Sequence, residues 1–208
     1  MKFITISDSH GQHRNLELPK GDIIIHAGDI SRRGKEDEIK DFLDWYSGLD
    51  FEHKIFVAGN HDFFFEKNSD KYIADIVPPE VTYLCDSGIT INGIKIWGSP
   101  VTPWFHDWAF NRHRGESIIR HWDLIPSDTD ILVTHGPAFG LLDKTIRGQT
   151  VGCEDLLNRI YEVHPKVHVF GHIHEAYGEM VSSGIKFINA SVIDENYLLK
   201  NEPIIFEI

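Results

Sequence analysis

The sequence predicts an α/β domain, and two observations lead to that fold class. Short apolar runs of β-strand character occupy residues 2–7, 22–27, 54–58, 130–134 and 166–170. Runs of this length and composition are typical of buried strands. Segments with helical periodicity lie between them, and strands that alternate with helices indicate an α/β domain.

Helices and hairpins follow from the spacing of apolar and turn-forming residues. Apolar side chains recur at helical spacing in two segments, at Ile39, Phe42, Leu43 and Tyr46 and at Leu156, Leu157, Ile160 and Val163. The dipeptide Asn92-Gly93 separates two strand-like pieces, at residues 89–91 and 94–97, and predicts a hairpin. A second hairpin is predicted across residues 177–189, with its turn at Ser183-Gly184.

Composition predicts one continuous domain that covers residues 1–208. A chain of 208 residues with 41% hydrophobic and 12% aromatic content can bury a sizeable core. No repeat, low-complexity tract or Pro/Gly-rich linker divides it. The two cysteines, Cys85 and Cys153, form no Cys-x-x-Cys pair, so a disulfide framework or a thiolate zinc site is not expected and both are predicted to be reduced packing residues.

Charge and hydropathy exclude two classes of partner. A formal charge of −12 argues against long nucleic acids, because their binding depends mainly on Lys and Arg that neutralise phosphates. No apolar run is long enough to span a bilayer, and Met1-Lys2 leads directly into a strand-like run without a cleavage site. We therefore expect a cytoplasmic protein with no membrane partner. No pattern in the sequence indicates an oligomeric state.

Polar segments with metal-ligating residues follow the strand-like runs. They read Asp8-Ser9-His10, Gly28-Asp29, Gly59-Asn60-His61-Asp62, His135-Gly136 and Gly171-His172-Ile173-His174. A dinuclear site needs oxygen donors, imidazoles and one carboxylate able to bridge two cations. One Asp-x-His or Gly-Asp arises by chance on a turn, but five such blocks at strand ends predict a dinuclear metal site. Open α/β sheets bind their ligands at that edge.

Local geometry separates the candidates within these segments. Asp8 and His10 alternate around Ser9, so their side chains project to the same side of an extended strand end and can chelate one ion. Asn60 is a neutral, weak ligand, which would leave its ion a stronger Lewis acid. His61 directly follows Asn60 and points elsewhere, so it needs another role or is a core or surface histidine.

These blocks resemble those of the calcineurin-like metallophosphoesterases, which run D-x-H, G-D, G-N-H-[DE], H and G-H-x-H in the same order. Further likeness, to the animal metallophosphoesterase-domain proteins grouped with the class III cyclic nucleotide phosphodiesterases, lies in residues 26–29, 102–105, 134–137, 169–175 and 188–191. The resemblance implies a four-layer αββα sandwich of two mixed β-sheets flanked by helices.

The resemblance also implies a role for each ligand block. The first metal would be held by Asp8, His10 and His174, the second by Asn60, His135 and His172, and both by the bridging Asp29. A mixed Asp/His/Asn set without thiolates accepts Mn²⁺, Fe or Zn²⁺. His61 would protonate the leaving group and be oriented by Asp62. The implied reaction is hydrolysis of small phosphodiesters or cyclic nucleotides by in-line attack of a metal-bridging hydroxide.

Substrate contacts are predicted from an aromatic run that starts after Thr102-Pro103. Trp104 or Trp108 could stack on a nucleobase, and the alternative is an apolar cluster against the sheet edge. Arg112, His113 and Arg114 lie just after this run and could contact substrate phosphate, and the alternative is that they are exposed loop charges. The predicted partner is thus a small phosphoester, with nucleotides as the specific candidates.

Two kinds of alternative function stay open. Ser/Thr protein phosphatases of the same superfamily carry a second Asp where this chain has Arg32-Arg33, so small phosphoesters are favoured over phosphoproteins. A phosphomonoesterase or a nuclease is the enzymatic alternative, and the acidic composition argues against the nuclease. The non-enzymatic alternative is a nucleotide-binding scaffold protein of low activity, against which the intact ligand blocks count.

Overall fold

The computed structural model describes all residues 1–208, with strands and helices in alternation over most of the chain. The strands are β1 (Lys2–Ile6), β2 (Ile23–His26), β3 (His53–Phe56), β4 (Val81–Tyr83), β5 (Ser87–Ile91), β6 (Ile94–Ser99), β7 (Thr102–Pro103), β8 (Asn111–Arg112), β9 (Ile131–Thr134), β10 (Val167–Phe170), β11 (Gly178–Ser182), β12 (Ile185–Asn189) and β13 (Ile204–Glu207). The helices are α1 (Glu36–Ser47), α2 (Phe63–Lys67), α3 (Asp70–Ile76), α4 (Glu116–Trp122) and α5 (Glu154–Val163).

The strands form two large mixed sheets. The first has the order β13-β1-β2-β3-β4 and the second the order β11-β12-β10-β9-β6-β5. Strands β1 to β4 run parallel, as do β6, β9, β10 and β12, while β13, β11 and β5 are antiparallel edge strands. Parallel neighbours need a crossover, which α1 and α5 supply. Both predicted hairpins are confirmed, as β5–β6 and β11–β12.

The core has three apolar layers, because side chains alternate between the two faces of each strand. Within β2, Ile23 and Ile25 lie in a cluster with residues of both sheets, and Ile24 packs on the other side with α1. A third cluster joins the outer face of the second sheet to α4 and α5. The layers are therefore helix, sheet, sheet and helix, and the predicted fold class is confirmed.

Helix α1 shows how the apolar stripe fixes this packing. All four of its predicted core residues are buried, and the Tyr46 hydroxyl donates to the carbonyls of Ile24 and Ile55 on adjacent strands. In α5 the prediction is confirmed for Leu156, Ile160 and Val163, which are buried, whereas Leu157 is only partly covered.

The cysteines are both free, as expected, but their environments differ. Cys153 is buried in the cluster beneath α4 and α5. Cys85 is exposed, so the prediction that it is a packing residue is wrong. Among the helices, none combines the length and the apolarity that a bilayer-crossing segment requires.

A buried histidine on β10 predicts acid sensitivity of the fold. The Nε2 atom of His168 lies 2.8 Å from Thr134 Oγ1, whose hydroxyl donates to the Gly136 carbonyl, so the imidazole is the donor. Burial lowers the pKa of His168 from 6.5 to about 3. Below pH 6.5 the unfolded chain therefore binds a proton that the folded chain excludes, and stability falls as the pH drops towards 3.

The expected result for His168→Leu is a flatter dependence of unfolding free energy on pH. For one such histidine the wild type loses about 2 kcal/mol more than the variant between pH 7.5 and 5. Urea unfolding of both proteins in EDTA measures this difference without metal release. His106→Gln, in an exposed loop, is the control. Parallel curves for His168→Leu and wild type would contradict the prediction.

Candidate metal centre

The ligand segments meet where the carboxyl ends of the two sheets come together. Asp8 follows β1, Asp29 follows β2 and Asn60 follows β3, while His135 and His172 follow β9 and β10. A bridge between Ser7 and Ser191 joins the two sheets at this edge. The parallel direction of these strands is what brings residues so distant in sequence to one place.

Potential ligand atoms form three overlapping groups there, and the atoms of each group lie within 4.8 Å of one another. One group consists of Asp8, His10 and His174, a second of Asp29, His135 and His172, and a third of Asp29, His10 and His61. The first two groups match the two predicted metal sets. Asn60 adjoins the second, because its Oδ1 lies 2.9 Å from His135 Nε2.

Asp29 lies between the two groups. Its Oδ2 atom is 3.6 Å from His10 Nε2 and 3.4 Å from His135 Nε2, and its Oδ1 accepts a hydrogen bond from the His61 amide at 2.8 Å. The carboxylate is 2% exposed, so solvent does not compete for it. This is the position that a bridging ligand would occupy.

Several of these residues have unusual backbone conformations. The φ angles of Asp8, His10, Asp29 and His172 are 55°, 43°, 55° and 71°, in the left-handed region that residues other than glycine rarely adopt. Each such conformation costs about 1–3 kcal/mol and persists only where the surroundings enforce it. Here the amides of Asp8 and His10 donate to Gly28 O and Asp29 O. Such strain typically clusters at functional sites.

Glycines make room for the two carboxylates. A Cβ on Gly171 would lie 2.0 Å from Asp8 Oδ2, and one on Gly59 would lie 2.3 Å from Asp29 Oδ1. Only glycine can stand at either position without displacing an acid. The glycines of Gly59-Asn60 and Gly171-His172 are therefore required by the close approach of the carboxylates.

The electrostatics keep both acids ionised. Burial by itself would raise the pKa values of Asp8 and Asp29, but hydrogen bonding and charge from His174 and His135 respectively hold them below their usual range. For His135, burial would lower the pKa, yet the charge of Asp29 outweighs it and raises the pKa to about 9. The Asp29 and Asn60 oxygens that face His135 Nε2 therefore stabilise a positive charge, a proton or a metal ion, at that nitrogen.

The donor set fits two divalent cations. His135 Nδ1 lies 3.0 Å from the Ala27 carbonyl, which fixes a proton on that nitrogen and directs Nε2 to the centre. Both ring nitrogens of His10 are buried without a hydrogen-bond partner. Burial lowers the pKa values of His10 and His172 to about 4 and 3, so both are neutral, the form that coordinates metals.

The imidazole of His61 is held with one ring nitrogen facing the ligand groups. Its Nδ1 atom lies 2.8 Å from the Arg32 carbonyl, so that nitrogen carries a proton. The ring lies against Trp108, with 4.3 Å between centroids, and Nε2 is 4.0 Å from Asp29 Oδ2. Nε2 thus faces the centre and, in the imidazolium form, can donate a proton there.

The expectation that Asp62 orients His61 is wrong. The buried Asp62 carboxylate accepts bonds from the amides of Ile30, Ser31 and Gly59 and from the Ser31 hydroxyl. It therefore braces the loops that carry Asp29 and Asn60, and the Arg32 carbonyl orients the imidazole instead.

A cavity of about 630 Å³ opens onto this centre. Its walls include Asp29, Asn60, His61, Trp104, Phe105, Trp108, Arg114, Ile146, His172, His174, Glu175, Glu195 and Tyr197. Trp104 is 47% exposed and its indole N–H donates to Asp107. The aromatic run is thus a wall of the cavity.

The structure separates the three residues predicted to contact phosphate. Arg112 forms an ion pair with Glu66 at 3.1 Å, and His113 stacks against Trp104. Neither residue lies in the cavity wall. The cation that does is Arg114, whose guanidinium donates to the carbonyls of Val151 and Gly152.

Sequence reasoning missed Tyr197, which lies in the turn between β12 and β13. Its ring contacts those of His10 and His174, at centroid distances of 5.1 and 5.2 Å. Burial and then the charges of Asp29 and Asp8 raise the pKa of Tyr197, so the phenol stays protonated. No motif surrounds this residue, and only the fold brings it to the centre.

The chain is similar to one protein family and to several animal proteins. The family model for calcineurin-like phosphoesterases matches residues 1–176. The human and mouse proteins called metallophosphoesterase domain-containing protein 1 are each 39% identical over 100% of this chain and 71% of their own length. A UPF0046 protein of Caenorhabditis elegans is 35% identical over 100% of this chain and 75% of its own.

Solved structures share the fold at low sequence identity. The protein TT1561 of Thermus thermophilus superposes with a TM-score of 0.66 at 15% identity, over 90% of this chain and 88% of the other. A protein described as a novel archaeal phosphodiesterase gives a TM-score of 0.50 at 15% identity, over 99% and 100%. Both structures have an arrangement of sheets and helices similar to that of this chain.

Proposed function

Because the chain belongs to the calcineurin-like phosphoesterase family, we propose that it is a dinuclear-metal phosphodiesterase that acts on small phosphodiesters, cyclic nucleotides included. The observation that carries the proposal is the pair of ligand groups on either side of Asp29. The first ion would be held by Asp8, His10 and His174, and the second by Asn60, His135 and His172.

The chemistry divides between the ions and the side chains. When bound, two divalent cations polarise a phosphoryl oxygen and supply a nucleophile from water at neutral pH. Asp29 holds its charge between the two groups, since its low pKa keeps it ionised. His61, fixed by the Arg32 carbonyl and the Trp108 ring, presents Nε2 to protonate the departing alkoxide.

The charges in the cavity wall favour a diester over a monoester. Arg114 is the one Lys or Arg in the wall, and its guanidinium already donates to two backbone carbonyls. Glu175 and Glu195 line the same cavity. From these side-chain charges, considered apart from the bound ions, a singly charged diester meets less repulsion than a doubly charged monoester. The fold is also similar to that of a protein described as an archaeal phosphodiesterase, which supports the proposal.

The test is a substrate panel on the purified protein loaded with Mn²⁺. The panel contains bis(p-nitrophenyl) phosphate, p-nitrophenyl phosphate and the 3′,5′- and 2′,3′-cyclic nucleotides. We expect turnover of the diesters, with kcat/KM for the aryl diester above that for the aryl monoester. A higher kcat/KM for the monoester would favour phosphomonoesterase activity, and no turnover of any ester would contradict an enzymatic function.

Trp104 provides a test of nucleobase recognition. Because Trp104 is exposed in the cavity wall, Trp104→Ala should lower kcat/KM for cyclic nucleotides by about 10- to 100-fold, the usual effect of losing a base-stacking ring. Bis(p-nitrophenyl) phosphate should be hydrolysed nearly as before.

Trp108→Ala is the comparison, because that ring lies against His61: its loss should lower kcat for cyclic nucleotides, which need a protonated leaving group, whereas Trp104→Ala should act mainly by raising their KM. If Trp104→Ala lowers turnover of both substrates equally, Trp104 is a structural residue of the loop and does not select nucleotides.

A further inference from the structure

Tyr197 covers the side of the centre where the first metal is predicted. Its ring meets the ring of His10 at an interplanar angle of 63° and that of His174 at 89°, so it contacts both predicted ligands edge to face. The same side chain lines the cavity described above and a second one of about 450 Å³. His61 and Trp108 are the other two residues shared by both cavities. Tyr197 therefore lies at the boundary where substrate would enter the centre.

The backbone of Tyr197 is held in a strained conformation. Its φ angle is 61°, which is unusual for an aromatic residue. The Asp194 carboxylate accepts hydrogen bonds from the amides of Asn196 and Leu198, on either side of the tyrosine. Gln12, beside the first ligand block, donates to the Tyr197 carbonyl at 3.0 Å. A turn fixed this way against an unfavourable φ indicates that the position of the ring is functional.

The hydroxyl of Tyr197 is free to bind a ligand. The hydroxyls of Tyr46, Tyr72 and Tyr177 each donate to an acceptor within the chain. That of Tyr197 has no acceptor within the chain, and the carbonyl bond from Gln12 is the one hydrogen bond that fixes the residue from outside its own turn. A protonated phenol beside a centre that attracts anions is a hydrogen-bond donor for an anionic oxygen.

We propose that Tyr197 is a substrate-binding residue, whose phenol O–H donates a hydrogen bond to a non-bridging phosphoryl oxygen on the first-metal side. This inference rests on the proposed phosphoesterase function. The hydroxyl would supplement the cavity's single arginine in holding the phosphoryl group. Binding of the phosphoryl group would thus depend in part on the turn between β12 and β13, which follows all of the ligand blocks in the sequence.

The experiment compares wild type and Tyr197→Phe, which keeps the ring and removes only the donor. Elemental analysis measures Mn²⁺ content, calorimetry measures affinity for inorganic phosphate, and turnover of bis(p-nitrophenyl) phosphate gives kcat and KM. We expect unchanged metal content. Phosphate affinity and kcat/KM should each fall about 10- to 100-fold, the usual loss for a hydrogen bond to a charged group.

Tyr161→Phe, on an exposed face of α5, is the matched control and should behave as wild type. Unchanged phosphate affinity in Tyr197→Phe would overturn the proposal. Loss of metal together with phosphate affinity would also overturn it, because the hydroxyl would then support the metal and not the substrate. If the wild type hydrolyses no ester, the proposed function fails, and the phosphate isotherms still decide the role of Tyr197.

Discussion

Asp29→Asn is expected to abolish hydrolysis and to remove most of the bound metal. The carboxylate lies between the two ligand groups, so its loss leaves both ions with a neutral amide in place of the shared negative charge. We expect turnover to fall by about 10³-fold or more, since the ions stabilise the transition state by several kcal/mol. Elemental analysis and diester hydrolysis on the same preparation measure both effects.

The matched control for Asp29→Asn is Asp128→Asn, an exposed carboxylate that pairs with Lys95 and lies before β9, at the end of that strand opposite to His135. It should keep wild-type metal content and turnover. Circular dichroism establishes that both variants are folded. Full metal content with near-native turnover in Asp29→Asn would contradict the bridging role.

His61→Asn is expected to have an effect that depends on the leaving group. With Nδ1 bound to the Arg32 carbonyl, the imidazole presents Nε2 to the centre as a proton donor. Diesters with a poor alkoxide leaving group should lose about 10²–10⁴-fold in kcat, the usual contribution of general-acid catalysis. Diesters that release nitrophenolate need no proton and should lose far less.

A series of diesters that differ only in the leaving group measures this dependence for His61→Asn and wild type. His106→Asn, an exposed loop histidine, serves as the control and should follow the wild-type series. Equal losses for every leaving group would show that His61 positions substrate or metal and does not transfer a proton.

The ligand segments could be located from sequence for a physical reason. Each segment is a polar block that directly follows a buried apolar run, and the carboxyl ends of parallel strands lie together at one edge of the sheet. Asp8 and His10 were predicted to share an ion because residues two apart on an extended strand face the same side. The structure does bring them together with His174, but both residues have left-handed backbone conformations, so the extended geometry was wrong. The αββα layering came from family resemblance, because periodicity does not report which strands pair. The pairing of β1 with β13, at opposite ends of the chain, illustrates this.

The direction of individual loop side chains could not be predicted. Asp62 adjoins His61 in sequence, yet its carboxylate turns into the loop to satisfy four buried donors. Arg112 and Arg114 are equally placed in sequence, but Glu66 from α2 pairs with Arg112 and leaves Arg114 in the cavity wall. Both outcomes depend on partners far away in the chain.

The most direct test of the dinuclear centre is anomalous diffraction from crystals of the protein grown with Mn²⁺. We predict two peaks about 3.5–4 Å apart, the usual separation in two-metal sites, with Asp29 in contact with both. One peak should lie beside Asp8, His10 and His174 and the other beside Asn60, His135 and His172. A single peak, or two peaks that do not share Asp29, would contradict the account.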